Sequence, residues 1–302
     1  MKSKTTKQFD LHLHSYYSDG KDSPRQVLSR AKRAGLLLTA LTDHNTLEHL
    51  SEARRAGEKL KINVLPAMEI SAVFSGKQIH LLALCFDQRN KTLVKLITNL
   101  QKRRRKEIFR VTKKLRKLGF IIADEALTKI RPDYWEFSHV INLLLKNAAN
   151  KKKILREVGD LDVFNIINAY FAKGKAAYVP EKFPSAIGVI KTIKQAGGIT
   201  ILAHPGFHLA FTDDSIIKQL ASRGLDALEV FTPKHNWQQI THYEILAKKL
   251  KLAITAGSDY HAEIHKAHIP LGSPVGLLRL PNRVFNNFVK FLHSRMGYRS
   301  FY

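Results

Sequence analysis

Apolar and polar positions alternate along this chain first in short extended runs, then in longer helical ones. Over residues 9–14 the alternation is strict. Phe9, Leu11 and Leu13 fall on one face of a predicted strand, and Asp10, His12 and His14 on the other. Ser23-Pro24 reads as an N-cap and first helical residue, with that helix closing near Gly35. Residues 36–42 predict a buried strand that ends at Asp43-His44. A helix follows over about 47–60, then strands over 62–70 and 78–86. From about residue 91 to 171 strand signals vanish. A long amphipathic helix is predicted over 93–118, turning at Gly119, with shorter helices over 137–147 and 162–173. After Tyr178-Val179-Pro180 the alternation resumes. It gives helices over 184–196, 213–223 and 237–250, and strands over 198–204, 225–231 and 252–259.

About seven strands separated by helices imply a parallel sheet, closed or nearly closed into a barrel. The expected fold is therefore α/β: a barrel from residues 1–90 and 175–302, with a small, basic helical domain inserted over 91–174. Neither a Gly-x-Gly-x-x-Gly nor a P-loop pattern is present, so nucleotide binding of the Rossmann or Walker kind is not indicated.

The titratable residues gather where this fold would bring them together. His12 and His14, one residue apart, project from one strand face and can approach one ion. Asp19 follows in the adjoining loop. Asp43-His44 ends the second predicted strand, Glu69 the third, and His80 lies in the fourth. His204 closes the fifth strand, and Asp259 with His261 the last. Parallel barrels place their chemistry at the carboxyl ends of strands. Taken singly, a buried histidine such as His80 is more often a hydrogen-bonded core residue, and Asp43 would equally serve as a helix cap. Taken as a set, these residues point to metal binding. Nine ligands exceed one ion, so two or three divalent metals are implied, with Glu69 able to bridge two. Imidazole and carboxylate donors suit Mn²⁺, Zn²⁺ or Fe²⁺.

The motifs resemble those of the PHP (polymerase and histidinol phosphatase) superfamily. The matching segments are Asp10-Leu11-His12-Leu13-His14-Ser15 with Ser18-Asp19-Gly20, Thr42-Asp43-His44-Asn45, Met68-Glu69-Ile70-Ser71, Ile79-His80-Leu81, Ala203-His204-Pro205-Gly206 and Gly257-Ser258-Asp259-Tyr260-His261. The resemblance implies a distorted (β/α)₇ barrel and a metal-dependent phosphoesterase. It implies one metal on His12, His14, Glu69 and Asp259, a second on Glu69, His80 and His204, and a third on Asp19, His44 and His261. Asp43 would stand behind these ligands. A hydroxide bridging two ions is the implied nucleophile, and Mn²⁺ the foremost cofactor.

Within the superfamily the insertion looks like the branch of 3′,5′-nucleoside bisphosphate phosphatases and 5′-to-3′ exoribonucleases. The run 174–180 and the run 224–235 resemble it as well. Members carry Arg-Pro-His in the insertion, where this chain has Arg131-Pro132-Asp133 and, further on, Phe137-Ser138-His139. Substrate-phosphate contacts are implied for Arg131, His139 and His235. His208 and His235, just past strand ends, could each act as an acid or a phosphate donor. His265 and His268 read as surface residues, and Trp135 and Trp237 as packing residues.

Composition then narrows the chemistry. The only cysteine, Cys85, excludes a multi-thiolate zinc site and reads as a buried small hydrophobe. No run approaches the ~20 apolar residues of a membrane span, and the basic N-terminus is not followed by the apolar core of an export signal, so a cytoplasmic location is expected. Fifty Lys and Arg against 25 Asp and Glu leave a formal charge of +25, suited to polyanions. The charge is densest at Lys102–Lys106 with Arg110, Lys113, Lys114, Arg116 and Lys117, and again at Lys151-Lys152-Lys153. A solvated face and a substrate contact are both open readings of such runs. The expected partner is a nucleotide or a short RNA or DNA, with no membrane and no obligate protein partner. Two other readings stand beside it: a small-metabolite phosphatase acting on a compound such as histidinol phosphate, and a nucleic-acid-binding or polymerase-accessory module.

Overall fold

The structure is a computed structural model that describes residues 8–128, 135–261 and 280–296. Seven strands, β1 (Phe9–Leu13), β2 (Leu38–Leu41), β3 (Asn63–Phe74), β4 (Lys77–Leu84), β5 (Ile199–Leu202), β6 (Ala227–Phe231) and β7 (Ala253–Ala256), form one sheet in chain order. Its two ends meet just beyond β7. Leu13 forms a parallel bridge with Tyr260, the His14 amide donates to the Tyr260 carbonyl at 2.8 Å, and the Asp259 amide donates to the His12 carbonyl at 2.8 Å. The result is a nearly closed seven-stranded α/β barrel.

The expectation of an all-parallel sheet needs correction at β4, which runs antiparallel to both β3 and β5. Only Ser75 and Gly76 join β3 to β4, both with positive φ (48° and 75°). Two such residues make a hairpin turn and are far too few for a parallel crossover. Nor does Glu69 end its strand, since β3 continues to Phe74. The reversal has a functional consequence. Because β4 runs backwards, His80, near its start, pairs with Ser71 beyond Glu69 and lies toward the mouth where the parallel strands end.

The connections α1 (Pro24–Arg33) and α2 (His49–Leu60) bury Val27, Leu28 and Ala53 against Leu13 and Leu41. A capping box between Ser23 and Gln26, with Pro24 next, starts α1 where the sequence places it. Inside the barrel, Phe9, Leu11, Ala40, Leu65, Leu82, Ile201 and Ala227 pack with Cys85, which is buried as expected. The far end is sealed by a C-terminal helix absent from the sequence-based assignment, and the ring of its Phe288 stacks on Phe9 at 5.2 Å.

Residues Ile97–Lys182 form a separate compact unit. Its helices are the bulk of α3 (Lys91–Lys117), then α4 (Asp124–Thr128), α5 (Phe137–Lys146), α6 (Ala148–Val158) and α7 (Val163–Tyr170). Ile108, Val111 and Leu115 of α3 pack with Ile141, Leu144, Ile154 and Ile166 in a core of its own. The sequence missed α6. Asn147 ends α5 and its side chain caps α6 by accepting from the Asn150 amide at 3.1 Å. Not every cation here is solvated. Arg104 is 6% exposed, paired with Glu136 and Glu181, and its guanidinium lies 4.2 Å over the Phe137 ring. Trp135 is buried as expected.

The second half of the barrel is completed by α8 (Ala186–Gln195), the single turn α9 (Pro205–His208), α10 (Asp214–Ser222), α11 (Trp237–Lys249) and the sealing helix α12 (Asn282–Met296). Trp237, expected to pack, is instead 78% exposed at the start of α11. Among the described residues no helix is long and apolar enough to cross a membrane.

Candidate metal centre

The chemistry gathers around one carboxylate. Glu69 is 1% exposed, and its two oxygens meet five imidazoles carried on, or just past the ends of, four strands. Oε2 lies 3.1 Å from His12 Nε2, 3.2 Å from His14 Nε2 and 3.4 Å from His44 Nε2. Oε1 lies 2.8 Å from His80 Nδ1 and 3.4 Å from His204 Nε2. Asp259 Oδ1 closes the first group, 3.3 Å from His12 Nε2 and 3.2 Å from His14 Nε2. On the other side, Asp19 stands 3.4 Å from His14 Nδ1, 3.7 Å from His44 Nε2 and 3.1 Å from His261 Nε2. All nine sequence-named ligand residues are therefore brought together. Two sets, His12–His14–Glu69–Asp259 and His14–Asp19–His44–His261, each offer four donor atoms mutually within 4.8 Å.

Two observations test whether a cation fits. Donors on a tetrahedral ion with bonds of ~2.0–2.2 Å lie roughly 3.4 Å apart, which matches the 3.1–3.4 Å separations around Glu69 Oε2 and Asp259 Oδ1. His14 Nε2, His204 Nδ1 and Glu69 Oε1 are also buried, and despite the close approaches above none has a neighbour in hydrogen-bonding orientation. Leaving such groups orphaned costs ~1–3 kcal/mol each, and an ion shared between nitrogen and oxygen lone pairs removes that cost. The donor set fits divalent metal.

Burial alone would push the His12 imidazole below its ordinary pKa, but the carboxylates of Glu69, Glu229 and Asp259 more than reverse this and raise it well above. His14 behaves likewise through Asp19. Burial would raise Asp19 and Glu69, yet the imidazoles around them hold both well below the usual carboxylate range. In the ion-free protein His12 and His14 thus carry protons where cations would stand, whereas burial pushes His44 and His204 below the ordinary imidazole range. Metal loading near neutral pH is expected to release protons, and apparent affinity to fall as pH is lowered, because imidazolium cannot coordinate. Calorimetry in buffers of different ionisation enthalpy measures this; proton-neutral loading would contradict it.

Other side chains hold the ligands in place. Asp43 does not touch the clustered oxygens. It accepts from the Ser15 amide at 2.8 Å and from the Ser15 and Ser18 hydroxyls at 2.6 and 2.8 Å, which fixes the loop carrying Asp19. Glu229 on β6, missed as a site residue, lies 3.1 Å from His12 Nδ1 and accepts from the His204 amide at 2.8 Å. It orients two of the candidate ligands at once, in the manner of the carboxylate–histidine pairs behind many metal sites. The only signal for it was a lone acid amid the apolar residues of β6. Lys234 was also missed. Its ammonium contacts Asp259 and lies 4.7 Å over the Phe207 ring.

The backbone is constrained here too. His204 (φ 27°) and Asp259 (φ 54°) occupy left-handed conformations rare for non-glycine residues, a form of strain found at functional sites. At Gly257 an added Cβ would come within 2.2 Å of His12 Cβ and 2.3 Å of Glu229 Oε1. Gly257→Ala is therefore expected to cost about 1–3 kcal/mol of stability and to weaken metal retention, checked by thermal melts with and without added ion. An unchanged melt would show that the site yields more than this packing implies.

The residues expected to meet substrate are differently placed. Both His235 nitrogens are engaged by backbone: Nδ1 donates to the Val230 carbonyl at 2.9 Å, and Nε2 accepts from the Gly206 amide at 2.9 Å. Burial pushes this ring down to about 4, so it braces the turn after His204 as a neutral imidazole. His139 lies in the helical unit, where its Nδ1 accepts from the Glu136 amide. Arg131, His265 and His268 lie outside the described residues.

The sequence profile of the PHP domain matches residues 10–160. A 5′-3′ exoribonuclease of Haemophilus influenzae is 29% identical over 259 residues, covering 85% of this chain and 90% of that protein. A phosphoribosyl 1,2-cyclic phosphate 1,2-diphosphodiesterase of Eggerthella lenta is 27% identical, covering 84% and 94%. A 3′,5′-nucleoside bisphosphate phosphatase of Chromobacterium violaceum is 26% identical, covering 84% and 87%. A solved structure from Bifidobacterium adolescentis superposes with a TM-score of 0.75 at 24% identity, covering 96% of each chain, which bears on the fold alone.

Proposed function

The chain belongs to the PHP family of metal-dependent phosphoesterases, and from that premise we propose that it hydrolyses nucleotide phosphoesters. The substrates are 3′,5′-bisphosphonucleosides, or short 5′-phosphorylated RNA trimmed from its 5′ end. The observation that carries the reading is the convergence of five imidazoles on Glu69, with Asp19 and Asp259 beside them. His12, His14, Glu69 and Asp259 hold one ion, Glu69, His80 and His204 a second, and Asp19, His44 and His261 a third, with Mn²⁺ foremost. Bound divalent ions supply a water able to ionise near neutral pH and charge to offset that of the phosphoryl oxygens. The chain's own part is positional. Glu229 fixes the His12 ring through Nδ1, and Asp43 sets the loop that presents Asp19. Lys234, raised above its ordinary pKa by Asp259 against the pull of burial, remains a cation beside the cluster. There it is suited to a phosphate oxygen once metals occupy the carboxylates.

A chain substrate is supported by the helical unit. Residues 97–182 carry 20 Lys and Arg against 9 Asp and Glu, a surplus of 11. Within this unit Arg110, Lys113, Lys114 and Lys117 of α3 line a groove of about 340 Å³ with Tyr178, Val179 and Pro180. All four cations are exposed and pair with no carboxylate among the described residues. Such a row is suited to a phosphodiester backbone.

The test is a product analysis with purified protein and Mn²⁺. It compares a 3′,5′-bisphosphonucleoside, 5′-phosphorylated short RNA and DNA, histidinol phosphate and a ribose 1,2-cyclic phosphate. Release of phosphate or mononucleotides from the first two classes, faster than from the last two, is expected. Preference for either small sugar or amino-alcohol phosphate would overturn the nucleotide reading.

A further inference from the structure

A seventh imidazole stands at the mouth of the barrel. α9 is a single turn that begins directly after His204 and ends at His208. Residues four apart on a turn face the same way, and the two rings lie 5.1 Å apart between centroids. The His208 ring also meets His80 edge-on at 4.6 Å, while His80 and His204 are 5.2 Å apart. Each of the three offers a ring nitrogen, and these nitrogens all lie within 4.8 Å of one another. His208 Nε2 is buried and has no hydrogen-bond partner. Glu69 Oε1, the oxygen nearest both His80 and His204, is in the same condition. Three imidazoles packed ring to ring gain little from one another; their lone pairs gain most from a shared cation.

We propose that His208 is a protein ligand of the ion held by Glu69, His80 and His204, an assignment that rests on the metal-centre reading above. That position would then be built from three nitrogens and one oxygen. The His12–His14–Glu69–Asp259 position has two of each; the His14–Asp19–His44–His261 set also offers three nitrogens and one oxygen, but it shares His14 with the first position and depends on a partly exposed Asp19. Nitrogen-rich sets favour Zn²⁺ and Fe²⁺ over Mn²⁺ and Mg²⁺, which prefer oxygen. Four protein donors also satisfy a tetrahedral ion with no open position. The His208 position is thus the one that selects Zn²⁺ and exchanges most slowly, whereas its neighbours exchange with ions from solution.

Metal content and affinity test this without reference to turnover. Chelator-stripped protein is reconstituted with Zn²⁺, passed through a desalting column and assayed for bound metal, and affinity is measured with a competing chelator. His208→Phe keeps a ring of similar size and removes the donor. It is expected to lose one equivalent of slowly exchanging Zn²⁺, with affinity at that position falling about ten-fold or more, while the remaining ions are retained. His208→Gln is measured in parallel, and circular dichroism shows which variant keeps the fold. In Co²⁺-loaded protein, the intense visible bands of a four-coordinate nitrogen-rich site should weaken in the variant. Unchanged Zn²⁺ content, affinity and Co²⁺ spectrum in a folded variant would overturn the role of His208. Wild-type protein that retains no metal would instead overturn the metal-centre reading itself, so the two failures are separable.

Discussion

Glu69→Gln is expected to lower metal-stimulated phosphate release by on the order of 10³-fold or more and to strip ions from more than one position. The substitution changes little in volume but removes the carboxylate charge that lies within 3.4 Å of all five imidazoles, His12, His14, His44, His80 and His204. One oxygen also becomes an amide N–H₂, which presents donors where imidazole lone pairs and a cation should meet. Without an ion, the attacking water returns toward its bulk pKa of 15.7 from about 7, which is why the loss is large. Glu229→Gln provides the graded control. It touches the ring of His12 and the amide of His204 from behind, and a change of this kind costs about 10–100-fold. Metal content by mass spectrometry, turnover at saturating Mn²⁺ and circular dichroism separate loss of ions from loss of fold. A Glu69→Gln protein that keeps its full complement of ions and turns over normally would overturn the assignment of Glu69 as the carboxylate on which the ions depend.

Most of the residues that gather around Glu69 were legible in the sequence because they sit where local pattern and chemistry agree. His12 and His14 share a strand face by simple alternation, and His204 and Asp259 follow short apolar runs that could only be strands. The helix before Gly35 announced itself through Ser23-Pro24 and its capping box. What was not legible depends on distance in space. Nothing in the period of residues 77–84 distinguishes a parallel from an antiparallel strand; the two-residue turn at Ser75-Gly76 decides it, and that turn has no proline or Asn-Gly to advertise itself. Glu229 and Lys234 acquire meaning only once β6 lies beside β5 and near β1. His235 shows the opposite failure. Its motif-like setting suggested a phosphate donor, yet both ring nitrogens are taken by backbone. Arg104, inside the densest basic run, is likewise spent on the carboxylates of Glu136 and Glu181 rather than offered to solvent. A charge run read from sequence is therefore a mixture, and only its exposed members count toward a partner.

Those exposed members carry the second large effect. Replacing Arg110, Lys113, Lys114 and Lys117 together with Gln is expected to weaken binding of a short 5′-phosphorylated RNA strongly, and to flatten its dependence on salt. Spaced at i, i+3, i+4 and i+7, the four share one face of α3. Lys114 Nζ donates to the Tyr178 carbonyl at 2.6 Å, which holds that side chain at the groove rather than free in solvent. If each cation neutralises one phosphate of a single strand, the slope of log affinity against log salt should fall by about 2.8 in magnitude, from ~0.7 per contact. Between 50 and 200 mM salt that slope corresponds to roughly 50-fold in affinity, which the variant should no longer lose. The loss of binding should also grow with chain length, from one nucleotide to about five, since a mononucleotide cannot reach all four charges. Fluorescence anisotropy across a salt series and a length series measures both quantities. An unchanged slope with equal weakening at every length would assign these cations to solvation alone, and the chain substrate would then have to be held by the barrel.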